Sequence, residues 1–132
     1  MKLENQVLSL ELAKQLKELG FKQESLFVWY DIGNDCWELG TIEEAGNYGK
    51  DYSNSTAIGY GVVMIPAYTV AELGEMMPNY YETHKATDEV WFTGYIKDGK
   101  IELQTENYSY ETEANARAKM LCFLIENGII KL

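Results

Sequence analysis

At 132 residues, with 46% hydrophobic and 13% aromatic content, the chain has the composition of one globular domain able to bury a core without metal or disulfide help, which excludes a disordered class. Its formal net charge is −10, and the acids concentrate between residues 31 and 113, where sixteen carboxylates face Lys50, Lys85, Lys97 and Lys100. That middle repels phosphate backbones, which disfavours direct nucleic-acid binding, and the six-residue apolar run Met120–Ile125 is far short of the about 20 residues of a membrane helix.

The first helix is expected over about Leu10 to Leu19. Ser9 caps it, Leu12, Leu16 and Leu19 follow at helical spacing, and Gly20 supplies the left-handed stop with Phe21 folding back. "SLFVWYDIG" then reads as a strand. Leu26, Val28, Tyr30 and Ile32 share one face and Phe27 and Trp29 the other, so the strand is expected to be covered from both sides. Gly33-Asn34-Asp35 turns the chain, and "CWELGTI" returns as a second strand.

Residues 43–57 show neither a helical nor a strand period and are dense in Gly, Asn, Ser and Tyr, the composition of a loop or hairpin tip. "IGYGVVMI" is a third, glycine-weakened strand. A capping box at Thr69 and Glu72 then opens a short helix that Pro78 closes. "NYYETHKATDE" reads as an exposed linker before the hairpin "EVWFTGYIKDGKIELQTE", which turns at Asp98-Gly99. Thr112 caps a last helix that Asn127-Gly128 stop. Ala114, Ala118, Leu121 and Ile125 form its main stripe. Ala116, Met120 and Phe123 lie near the opposite side, either completing a wide buried face or forming a dimer contact.

The order α-β-β-(β)-α-β-β-α, without repeats or linkers, predicts one α+β domain over residues 1–132. The expected architecture is an antiparallel sheet of four to five strands with three helices, on both faces of the sheet.

Signals for chemistry are few. His84 is the lone histidine, and no Gly-x-Ser-x-Gly elbow, His-Glu-x-x-His helix or Cys-x-x-Cys pair occurs, so no catalytic residue, metal site or cofactor is assigned. "GYGVVM" lacks the third glycine and the following helix of a dinucleotide loop. "DYSNS" has the spacing of a metal-ion adhesion site in a setting that suits an ordinary polar turn. Cys36 and Cys122 sit in no ligand or redox spacing and are expected to be free thiols in a reducing compartment. With no apolar run near Met1, a cytoplasmic location is expected. The best candidate for contact is the 43–61 segment, where Tyr48, Asp51, Tyr52 and Tyr60 stand among Gly, Ser and Asn, the mixture that paratopes use.

Three blocks carry a family resemblance: "MKLENQVLSLELAKQLKELGFKQESLF", "AYTVAELGEMMP" and "TEANARAKMLCFLIENGII". On them the chain resembles a family of small proteins of unknown function from Bacteroides-type gut bacteria, their phages and integrated elements. The blocks cover under half of the chain but include all three expected helices. The resemblance implies an accessory role in a phage or mobile element, and no residue role.

The leading expectation is a non-enzymatic module that binds another protein, steered by its charge toward a basic surface. A small-ligand-binding or weakly catalytic domain using loop tyrosines and carboxylates is the alternative. A self-associating structural protein using Ala116, Met120 and Phe123, as in a homodimer, is the third.

Overall fold

The computed structural model describes residues 2–52, 63–77, 81–87, 90–97, 100–104 and 112–132, with side chains described for 2–48, 63–77 and 112–132. A 3-10 turn at Leu3–Asn5 precedes helix α1 (Leu10–Glu18) and strands β1 (Phe27–Gly33) and β2 (Cys36–Thr41). Helix α2 (Ile42–Tyr52), strand β3 (Met64–Pro66) and helix α3 (Val70–Met76) follow. Strands β4 (Tyr81–Thr87), β5 (Val90–Lys97) and β6 (Lys100–Gln104) lead to helix α4 (Glu113–Glu126).

The fold is α+β with antiparallel pairing, as expected, but its layout differs. The described strands form two three-stranded sheets, β2-β1-β3 and β4-β5-β6, in place of one sheet of four to five, and the described residues include four α-helices in place of three. Two local misreadings account for most of this. The stretch around His84, expected to be a linker, is strand β4 and pairs with β5; its polar run offers no apolar alternation to betray a strand. Residues 43–52, within the stretch expected to be loop, belong to helix α2. The β4-β5-β6 meander then pairs with itself through short connections, which separates it from the first sheet.

Helix α2 forms because Thr41 and Glu44 make the reciprocal bonds of a capping box. The Glu44 amide donates to Thr41 Oγ1 at 3.1 Å, and the Thr41 amide donates to Glu44 Oε1 at 3.3 Å. Ala45 is fully buried and Tyr48, three residues on, is half-buried, so one face of α2 lies on the sheet. Its core cluster joins Ala45 and Tyr48 to Val28, Tyr30, Ile32 and Met64.

The other face of β1 meets the main core. Phe27, Trp29, Trp37 and Leu39 pack against buried residues of α1, β3, α3 and α4, so β1 is covered from both sides. Leu26 departs from the expected face: it precedes the strand and is 70% exposed. The β1–β2 turn places Asn34 at φ 54° and Asp35 at φ 58°, the pair of positive values that a tight two-residue hairpin requires.

The remaining caps follow the sequence. Ser9 Oγ accepts from the Leu12 amide, Thr69 and Glu72 complete their capping box, and Thr112 Oγ1 accepts from the Asn115 amide. Gly20 takes φ 88° and Gly128 φ 71° behind the first and last helices.

Helix α4 is the centrepiece. It packs on α1 and α3 and also against the second sheet, chiefly along β5. Ala114, Ala116, Ala118, Met120, Leu121, Cys122 and Leu124 are accordingly all buried, over a face much wider than one stripe, and the side that carries Asn115, Lys119, Phe123 and Glu126 is only partly covered.

Candidate functional site

Of the loop candidates, Tyr48 is the one whose side chain lies among the described residues. Tyr48 is drawn into the fold: its hydroxyl donates to the Ile32 carbonyl at 2.8 Å, and its ring stands 6.0 Å from that of Tyr30. It fastens α2 to β1. Asp51 and Tyr52 belong to the last turn of α2, with side chains outside the described residues, and Tyr60 lies outside them altogether. So do most of "DYSNS", the glycines of "GYGVVM", the Asp98-Gly99 turn and the His84 side chain.

The oligomer candidates part company. Ala116 and Met120 are wholly enclosed, so they occupy the wide buried face that α4 presents to both of its neighbours. Phe123 is half-buried against the core, with Lys119 Nζ 5.2 Å from its ring centroid.

Cys122, Tyr68 and Tyr30 are shifted away from nucleophilic chemistry. Burial pushes the Cys122 thiol up to about 12, and it does the same to the Tyr68 hydroxyl, with the Glu72 charge adding to it. Tyr30 is raised by burial first and then by its bond to Glu38. Cys36 is exposed and free. Among the described residues no three of His, Cys, Asp and Glu gather to hold a metal ion, and no described helix is long and apolar enough to cross a membrane.

The described residues also build a concavity that the sequence reading missed. An open groove of about 460 Å³ lies between the N-terminal 3-10 turn and the β1–β2 hairpin. Trp29, Trp37 and Leu39 form its floor, and Lys2, Leu3, Glu4 and Glu38 complete its lining. Register explains the floor: Trp29 pairs with Leu39 and Asp31 with Trp37, so the two tryptophans and the leucine share one face.

Each ring is held. Trp29 Nε1 donates to the Leu8 carbonyl at 3.1 Å, and Trp37 Nε1 donates to Asp35 Oδ1 at 2.9 Å. Lys14 Nζ stands 5.0 Å above the Trp37 ring and 4.0 Å from Asp35 Oδ1. Half-buried tryptophans fixed by their own hydrogen bonds form a rigid apolar floor, and carboxylates outnumber lysines around it. A groove open to solvent suits side chains of an approaching chain better than it suits an enclosed small molecule. The signal available in sequence was the Trp29, Trp37 and Leu39 set, legible only with the hairpin register in hand.

No family model, curated protein or solved structure matches the chain.

Proposed function

We propose that this protein is a small acidic accessory module of a phage or mobile element, acting in the cytoplasm without catalysis by binding another protein. The observation that carries the reading is the open Trp29-Trp37-Leu39 groove. Tryptophan set in a partly desolvated apolar recess is the residue type that dominates binding energy at protein interfaces. The surrounding charge supports a basic partner: residues 31–48 contain five carboxylates and no lysine or arginine. Long-range attraction of that kind raises the association rate and is screened by salt.

Immobilised protein should capture a basic partner from host lysate at low salt and release it as salt rises. A Trp37→Ala variant with unchanged far-UV circular dichroism should fail to capture it. Equal capture by both proteins would remove the groove from the proposal. Thermal stabilisation by one compound in a metabolite screen would instead favour the small-ligand reading.

A further inference from the structure

We propose that the occupant of the groove is an extended, lysine- or arginine-bearing segment of the partner that adds as a fourth strand along the outer edge of β2. This rests on the binding reading above and names the partner chemistry of that same groove.

The argument begins with the direction of backbone groups. The Phe27 carbonyl accepts from the Ala67 amide at 2.9 Å, and the Asp31 amide donates to the Val63 carbonyl at 3.1 Å. The backbone groups of Phe27 and Asp31, and by alternation those of Trp29, therefore face β3. Those of Val28 and Tyr30 face β2, where their register partners are Gly40 and Glu38. Glu38 and Gly40 thus turn their backbone groups inward, while Trp37, Leu39 and Thr41 turn theirs outward. One of these outward groups confirms the parity: the Thr41 amide is taken by Glu44 Oε1, a side chain beyond the edge.

β2 is the outer strand of its sheet, so the amides and carbonyls of Trp37 and Leu39 form two open rungs among the described residues. The same two residues supply the groove floor. A strand bonded there would set the side chains opposite Trp37 and Leu39 over the groove, and the intervening side chain beside Glu38 on the other face. The site therefore reads an alternating apolar-basic-apolar pattern, with backbone pairing giving affinity and alternate side chains giving selectivity. Glu38 is exposed, and Glu43 and Glu44 follow directly at the start of α2. A second copy of this chain is the poorer occupant, since edge-to-edge pairing would oppose these carboxylates to their own copies on a molecule of net charge −10.

The test uses the intact protein and tryptophan fluorescence titrated with a synthetic peptide of alternating valine and lysine. That peptide should bind in a salt-sensitive manner, and a valine–glutamate peptide should not. N-methylation of the peptide amides that face β2 should weaken binding about tenfold, whereas N-methylation of the other set should not. Glu38→Lys, at an exposed position, should weaken the lysine peptide. Equal effects of the two methylation patterns would overturn strand addition while leaving a groove-bound partner in place. Binding unaffected by Trp37→Ala would overturn both. A doubled mass by light scattering without peptide would assign the edge to a second copy and overturn the proposal.

Discussion

Glu72 shows how much one side chain organises. Its Oε1 accepts from the Thr69 amide at 2.9 Å and from Ser25 Oγ at 3.0 Å, and its Oε2 accepts from the Leu26 amide at 3.2 Å. One carboxylate thus caps α3 and ties its start to the entry of β1. Glu72→Ala should cost about 1–3 kcal/mol by urea denaturation, whereas Glu75→Ala at an exposed position should cost almost nothing. Tyr68 and Cys122 make a different prediction. Their native values of about 12 lie above the ordinary 10.0 and 9.0. The native state keeps protons that the unfolded chain loses, so stability is intact below about pH 9 and falls between about pH 9 and 12. It is flat for these two groups above that window. Denaturation midpoints measured across it should decline, and Cys122→Ala should decline less steeply at its lower end. A thiol reagent should modify exposed Cys36 in the native protein and reach Cys122 only after unfolding.

At the scale of elements, α2 is the instructive case. Its glycines and tyrosines gave residues 43–57 the composition of a loop, yet Thr41-x-x-Glu44 carries the same capping signature as Thr69-x-x-Glu72. The helix is therefore marked at its start and weakened in its middle. Gly46 has nothing within 4 Å of where a Cβ would stand, so Gly46→Ala should stabilise the protein by about 0.5–1 kcal/mol. Ala45 is fully enclosed between α2 and β1, and Ala45→Leu should cost about 1–3 kcal/mol through overpacking. Both values come from urea midpoints, and near-neutral results at both sites would contradict a helix here. α1, α3 and α4 are legible in the sequence because each carries an N-cap and a helical apolar period. β4 was missed because Tyr81–Thr87 offers a run of polar side chains with no apolar face.

For the whole molecule, α4 is the shared element: it touches α1, α3 and the second sheet. Met120 is fully buried within it, and Met120→Ala should cost about 2–5 kcal/mol. Because both layers rest on this helix, the loss should appear as one transition, coincident by far-UV circular dichroism and by fluorescence. Two separated transitions would mean that the layers melt independently. Self-association through Ala116 and Met120 would require surface that these residues do not present.

What the sequence determined by itself was local: caps, stops, the two-faced apolar pattern of β1, the Asn34-Asp35 turn and the acidic middle. These depend on neighbouring residues and on counting, so they can be read without coordinates. Tertiary structure alone decided that α2 is seated over Tyr30, that the described strands divide into two sheets and that the buried face of α4 is far wider than one stripe. It also decided that Trp29, Trp37 and Leu39 meet in one groove. Each of these depends on register or on a partner distant in the chain, and a one-residue slip in β2 would have sent Trp37 and Leu39 to the opposite face.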